Sequence, residues 1–280
     1  MFKRAYVEIT NACNLQCAFC PGTSREKRFM SVEEFGVIAG KLRQLTEYLY
    51  LHVMGEPLLH PELVKILDTA AALNFRVCLT TNGTLLDRRK EELLAAKALH
   101  KVSVSLHSFE GNDGGEIKEY LETVWDFAEK AAEKGVICAL RLWNKGGAES
   151  RNGEIETFLS KKCGADVGTL PMDGNGSRRL GENLFLERAE KFDWPALEAE
   201  ECGTEFCYGL RQQIAVLCDG TVVPCCLDGQ GTIALGNLLT EKPEDILASP
   251  RAAAIREGFA RRQPAEELCR RCGYATRFNR

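Results

Sequence analysis

Histidine is scarce in this 280-residue chain, with four residues in all, as are methionine with four and tryptophan with three. No apolar run approaches the roughly 20 residues of a membrane helix, which excludes a helical membrane span. No glycine-rich phosphate loop, Ser-His-Asp arrangement or nucleic-acid fold is legible. The formal net charge of −4 lacks the basic footprint of a nucleic-acid surface. Met1-Phe2-Lys3-Arg4 runs straight into a strand-like segment and leaves no room for a signal peptide. The expectation is a cytoplasmic chain with no membrane or nucleic-acid partner.

Cysteine is the opposite case. Thirteen residues is an odd and high count, and a disulfide framework would belong to a small secreted domain. Metal binding is the better account. At 45% hydrophobic and 27% charged the composition is that of an ordinary globular protein. Its length allows about three quarters of the unfolded surface to be buried.

The densest cysteine stretch, Cys13-Asn14-Leu15-Gln16-Cys17-Ala18-Phe19-Cys20, follows the apolar run Ala5 to Ile9. Its spacing places three thiolates on one small inorganic centre. Iron–sulfur clusters are held by thiolates, and three ligands on a four-iron cluster leave one iron open to an outside molecule. Structural zinc would need a fourth ligand, and no histidine is near in sequence.

Strand-like and helix-like segments then alternate, which predicts βαβ units and a parallel sheet. Ser31-Val32-Glu33-Glu34 reads as a capping box opening a helix to about Leu45. Tyr48 to Val53 reads as a strand covered on both faces. A helix from Pro61 to about Leu73, a strand Phe75–Thr80, a helix that Asp87 caps through Ala98, and a strand Val102–His107 come next. The face Ile117, Leu121, Val124, Trp125, Ala128 and Ala132 predicts a helix closed by Gly135. Val136–Leu142 and a short Asn183–Leu186 give a fifth and sixth strand, with a helix near Glu154–Lys162 between them. Acidic residues 187–205 with Pro195 read as a linker. Beyond it, Gln213–Leu217 and Thr221–Val223 flank Asp219-Gly220, a hairpin signal, and a helix spans about Glu244 to Ala260.

The C-x3-C-x2-C loop after a first strand resembles the radical S-adenosylmethionine (SAM) superfamily. Met54-Gly55-Glu56-Pro57 after the second strand and Thr81-Asn82-Gly83-Thr84 after the third resemble it too. The resemblance implies an α/β fold, a partial (β/α)6 TIM-like barrel, over residues 1–190. It implies a [4Fe–4S] cluster on Cys13, Cys17 and Cys20, whose open iron is chelated by SAM. One electron breaks the sulfonium bond, and the 5′-deoxyadenosyl radical takes a hydrogen atom from substrate. Met54, Gly55, Glu56 and Pro57 would hold the SAM amino group, with Met54 where a glycine is usual. Thr81 and Asn82 would lie on the ribose side. Ser105 and Asn144, at strand ends, are candidate SAM contacts. His107 and Arg141 are candidate catalytic residues, His107 as a substrate acid or base.

The tail, 200–280, resembles the SPASM or shorter twitch extension, a small cysteine-rich module. Cys207, Cys225, Cys269 and Cys272 match its fingerprint with Gly220 in the hairpin, and a second, closed [4Fe–4S] cluster is implied. By ligand chemistry alone a zinc ribbon fits the same four thiolates. Cys202, Cys218 and Cys226 stand close enough in sequence to replace an assigned ligand. The further cysteines of a full SPASM extension are not found, so one auxiliary cluster is expected. Cys78, Cys138 and Cys163 read as buried small hydrophobes. Arg261, Arg262, Arg270, Arg271, Arg277 and Arg280 form a solvated face, or a docking patch for a phosphate backbone or for an acidic electron donor of the flavodoxin or ferredoxin type. The expected activity is hydrogen abstraction with net oxidation of a peptide or small molecule. The rivals are an iron–sulfur electron carrier and a zinc-stabilised binding protein.

Overall fold

The structure, a computed structural model, describes residues 1–109, 116–174 and 176–279. Strands and helices alternate through β1 (Arg4–Val7), α1 (Val32–Leu42), β2 (Tyr48–Tyr50), α2 (Leu63–Ala72), β3 (Arg76–Thr81), α3 (Leu86–Ala95), β4 (Leu99–Ser105), α4 (Ile117–Glu133) and β5 (Ile137–Lys145). Helix α5 (Asn152–Cys163) and strands β6 (Ser177–Gly181) and β7 (Leu184–Glu190) complete the first part. The tail adds β8 (Gln213–Val216), β9 (Thr221–Val223), β10 (Gly236–Asn237), α6 (Pro243–Ala248), α7 (Pro250–Ala260) and α8 (Glu267–Arg270).

All ten strands share one sheet, in the order β10-β9-β8-β1-β2-β3-β4-β5-β7-β6. The stretch from β8 to β7 is parallel throughout, the core of a partial α/β barrel. The six parallel strands expected from the sequence are β1 to β5 and β7. A seventh is contributed by the tail, whose β8 lies beside β1 from Arg4↔Gln213 to Val7↔Val216. The Asp219-Gly220 hairpin forms as expected, with β8 and β9 antiparallel.

Alternation along the strands separates two environments. Ala5, Val7, Leu49, Val77, Leu79, Val102, Val104, Leu140, Leu184 and Leu186 join the apolar core under the helices. The opposite set faces inward: Arg4, Tyr6 and Glu8 beside Tyr50 of β2 and His52 just beyond it, then Cys78, Thr80, Lys101, Arg141 and Glu187. Tyr48 to Val53 is therefore not a strand apolar on both faces. Leu49 and Leu51 are fully buried in the core, whereas Tyr50 and His52 lie against Tyr6 with ring centroids 5.1 and 5.4 Å away. Tyrosine has an apolar body and a polar tip, so it reads as core in a sequence while serving a polar interior.

Helix α1 carries the capping box as read: Glu34 N donates to Ser31 Oγ at 3.1 Å and Ser31 N to Glu34 Oε2 at 2.8 Å. Its buried Phe35, Ile38, Ala39 and Leu42 lie on the core face. Asp87 sits inside the first turn of α3, which stops at Ala95 because Ala96 turns extended. The single tail helix expected from Glu244 to Ala260 is two. Pro250 has no N–H to continue α6, and Ser249 leaves the helix to accept from Ala252 N at 3.3 Å. Strand β6, with Leu180 its single large apolar residue and no apolar alternation, escaped the sequence reading.

The acidic 187–205 stretch is not a free linker. Glu187 lies within β7 and pairs with Arg141 and Lys101. Phe192 meets Trp194 and Tyr274 at ring centroids 5.4 and 5.0 Å apart, tying the segment to the end of the tail.

Candidate functional site

The loops following β1, β2, β3 and β4 meet at the carboxyl ends of the parallel strands, where such sheets bind ligands. The loop after β1 carries Cys13, Cys17 and Cys20, of which Cys13 and Cys20 are exposed and Cys17 is partly covered. Cys17 Sγ donates to Ser108 O at 3.8 Å, and Phe19 packs on His107 with ring centroids 4.8 Å apart.

The Met54–Pro57 loop docks on this loop backbone to backbone. Glu56 N donates to Ala12 O at 2.8 Å. Gly55 has φ +78°, and a Cβ there would stand 2.5 Å from Thr10 O. Only a bare backbone passes so close. Glu56, 2% exposed, turns its carboxylate to the neighbouring loop, accepting from Thr81 Oγ1 at 2.7 Å, Asn82 N at 2.7 Å and Leu58 N at 3.0 Å. Burial pushes it up to about 7 against those three bonds. Pro57 opens a short helical turn to Leu59.

The third loop is cross-linked to the first by amides. Asn82 Nδ2 donates to Asn14 Oδ1 at 3.0 Å, and Asn14 Nδ2 to Thr84 Oγ1 at 2.9 Å. Thr81 Oγ1 also accepts from Gly83 N at 3.0 Å. The structure thus brings together Cys13, Cys17, Cys20, Gly55, Glu56, Thr81, Asn82 and His107. It does not bring Asn144 to them: its amide bonds to Ala148 O and Asn152 Oδ1 and shapes its own loop. Ser105 ends β4 opposite Arg141, and its carbonyl accepts from Ser108 Oγ at 2.6 Å.

Below the loops the inward-facing residues form an ionic interior. Glu187 accepts from Lys101 Nζ at 2.7 Å and from Arg141 Nε at 3.0 Å. Burial would raise this carboxyl, but the Arg141 and Lys101 charges outweigh it and hold it below its ordinary value. Arg141 also donates to Thr80 Oγ1 at 3.3 Å and stacks on Trp143 at 4.4 Å. His52 shares Thr80 Oγ1, and burial takes its imidazole down to about 3, with the Arg141 charge adding to the effect. His107 is 8% exposed. Its Nδ1 lies 3.1 Å from Arg141 O, and burial lowers it below the ordinary histidine value.

Sequence reasoning missed the residue at the centre of the loops. Glu8 of the β1 segment has no exposed surface and accepts from Arg25 Nη2 at 2.7 Å on both oxygens, from Met54 N at 3.0 Å and from Cys218 N at 3.1 Å. A single carboxylate inside an apolar run was the available signal, because a buried charge must be paired.

In the tail, Cys207, Cys225, Cys269 and Cys272 lie within electrostatic reach of one another. Burial pushes the Cys225 thiol well up, and the neighbouring Cys207, Cys226, Cys269 and Cys272 raise it further. Among the described residues, no three His, Cys, Asp or Glu side chains are drawn to the spacing of a single-ion site. Cys226 lies beside Tyr6, and Cys218 beside Arg25 at 3.6 Å.

Residues 7–144 match the model of the radical SAM superfamily, and residues 207–273 match that of SPASM, an iron–sulfur cluster-binding domain. The chain carries a radical SAM domain and a SPASM domain. It is similar to the probable GTP 3',8-cyclase of Methanocaldococcus jannaschii, 36% identical over 104 residues, 36% of this chain and 35% of that protein. The chain thus spans about a third of the length of the first curated relatives it matches. It is also similar to the Fe-coproporphyrin III synthase of Methanosarcina barkeri, 31% identical over 65% of this chain and 48% of that protein. In fold it is similar to BtrN in complex with AdoMet and 2-DOIA, with a TM-score of 0.62 and 18% identity over 97% of this chain and 93% of that one.

The radical SAM and SPASM domains imply [4Fe–4S] clusters and SAM as cofactors. The residues present fit both groups. Each cysteine set is made of free thiols, soft donors suited to iron–sulfur clusters. The first loop offers three, and the Gly55 backbone packs directly against that loop. No helix among the described residues is long and apolar enough to cross a membrane.

Proposed function

We propose that Cys13, Cys17 and Cys20 hold a SAM-binding [4Fe–4S] cluster, that Cys207, Cys225, Cys269 and Cys272 hold an auxiliary one, and that the enzyme oxidises a small polar molecule seated in the ionic interior. When bound, the clusters and SAM supply a hydrogen-abstracting 5′-deoxyadenosyl radical and an acceptor for the electron that a two-electron oxidation releases. The supporting observation is the convergence of four strand-end loops above an interior lined by Arg141, Glu187, Lys101, Thr80 and His52. Charged groups fixed in this way orient a compact polar substrate and cost no reorganisation on binding.

Removal of a hydrogen atom and an electron leaves one proton to lose. His107, held neutral by burial, is the acceptor. In the tautomer that donates Nδ1–H to Arg141 O at 3.1 Å, rather than the one that accepts from Trp143 N at 3.4 Å, Nε2 is its basic nitrogen. Arg141 orients substrate through the guanidinium face that Glu187 and Trp143 fix. Relatives named for GTP and for Fe-coproporphyrin III support a small-molecule reading.

The test is anaerobic incubation of the reconstituted protein with labelled SAM and a size-fractionated lysate. The proposal expects the low-molecular-weight fraction to stimulate 5′-deoxyadenosine release, with or without protease treatment. Stimulation confined to a protease-sensitive fraction would assign a peptide substrate instead.

A further inference from the structure

The segment that follows Cys20 is bonded to the tail as well as to the barrel. Thr23 Oγ1 and Ser24 Oγ each stand 3.1 Å from Gln230 Oε1, and Ser24 N donates to it at 3.2 Å. Gln230 Nε2 returns a bond to Gly22 O at 3.4 Å. Arg25 Nε donates to Gly229 O at 2.9 Å while its Nη2 grips both oxygens of Glu8. The same carboxylate takes the N–H of Met54 and of Cys218, so one buried group ties the cluster loop, the Met54 loop and strand β8's end together.

Packing repeats the connection. A Cβ on Gly229 would stand 2.8 Å from Met54 Cγ and 2.7 Å from its Cε. Met54 is the residue that replaces the usual glycine, and here its side chain seats on a tail position that has none. Residues 228–230 are themselves anchored beside the auxiliary cysteines. Asp228 N donates to Cys225 O at 3.3 Å, and the Asp228 carboxylate, 3% exposed, accepts from Thr232 N and Ile233 N at 2.9 and 2.7 Å.

We infer that residues 228–230 of the SPASM domain set the conformation of the SAM-binding loops through Arg25 and Met54, so that the auxiliary module is a positioning partner of the SAM site. This rests on the reading of Cys13, Cys17, Cys20 and Met54–Pro57 as that site. Arg25, Gly229 and Gln230 act through the loops they hold; none is a catalytic residue. A tail serving only as an electron acceptor would need neither the Gln230 bonds nor a side-chain-free position beneath Met54.

The experiment measures SAM dissociation constants and the electron paramagnetic resonance spectrum of the reduced, SAM-bound cluster in full-length reconstituted protein. Gly229→Ala, whose added methyl meets Met54, should weaken SAM binding at least fivefold and shift the spectrum with the iron content unchanged. Met54→Ala in that background should restore affinity to within twofold of the parent, a rescue that general destabilisation of the tail would not show. Arg25→Met should weaken SAM binding about tenfold. Should Gly229→Ala not fold, Gln230→Ala at the surface takes its place, with an expected loss of at least threefold. Parental affinity and spectrum in Arg25→Met and in either tail variant would overturn the inference, provided that SAM binding is lost when Cys13, Cys17 and Cys20 are replaced by Ala. If SAM binding survives that triple replacement, the reading of the site fails and the inference with it.

Discussion

A carboxylate with no exposed surface is stable only if its partners replace water, and Glu8 has four bonds that do so. Glu8→Ala would leave the guanidinium of Arg25 half-buried and two N–H groups without an acceptor. The expected loss is roughly 3–5 kcal/mol in a urea titration, the cost of breaking a buried pair from one side. A loss below about 1 kcal/mol would show that the hub relaxes into water. His52 gives the second residue-scale prediction. Its imidazole titrates near the ordinary 6.5 when unfolded and at about 3 in the fold. Below pH 6.5 the unfolded chain takes up a proton that the native state refuses, so stability falls as pH drops towards 3, by up to about 1.4 kcal/mol per unit. Between pH 7 and 5, His52→Gln should therefore lose about 2 kcal/mol less than the parent. Equal losses in the two proteins would contradict the burial of a neutral ring.

At the scale of elements, sequence periodicity located the βα repeats because each helix must bury one stripe and each strand one face. The capping box of α1 was legible for a local reason, since all its bonds lie within four residues. Ser31→Ala should cost about 1 kcal/mol of stability and leave SAM affinity within twofold, because α1 lies on the core side of the sheet. A larger affinity change would mean that α1 reaches the site through Arg28, which bonds Glu34. Long-range features were not legible. The inner face of β2 looked like core because tyrosine counts as apolar, and β6 has no alternation to detect. The addition of β8 beside β1 joins residues more than two hundred positions apart. The three loops of the candidate site could be named from motifs, whereas the bonds between them, through Asn14, Glu8 and Arg25, required the fold.

At the scale of the molecule, the tail is built into the barrel sheet. The C-terminal arginines do not form a bare cationic patch: Arg261, Arg262, Arg270 and Arg271 pair with Glu257, Glu205, Glu201 and Glu267, and Arg277 lies 4.0 Å over Tyr274. Arg280 falls outside the described residues. Such exposed pairs are worth little in stability, but they neutralise the surface expected to receive an electron donor. The auxiliary thiols give the fourth prediction. Cys269→Ala with Cys272→Ala should, at saturating SAM, still release 5′-deoxyadenosine while losing the oxidised product. Parental product formation in that variant would end the electron-accepting role.

The central claim is that two separate cysteine sets serve two separate tasks, and one measurement addresses it most directly. Replacing Cys13, Cys17 and Cys20 together by Ala, then reconstituting anaerobically, allows iron content and 5′-deoxyadenosine formation to be read on one sample. The account predicts that SAM cleavage is abolished while the iron of the Cys207, Cys225, Cys269 and Cys272 site remains. Full parental iron, or continued formation of 5′-deoxyadenosine, would contradict it.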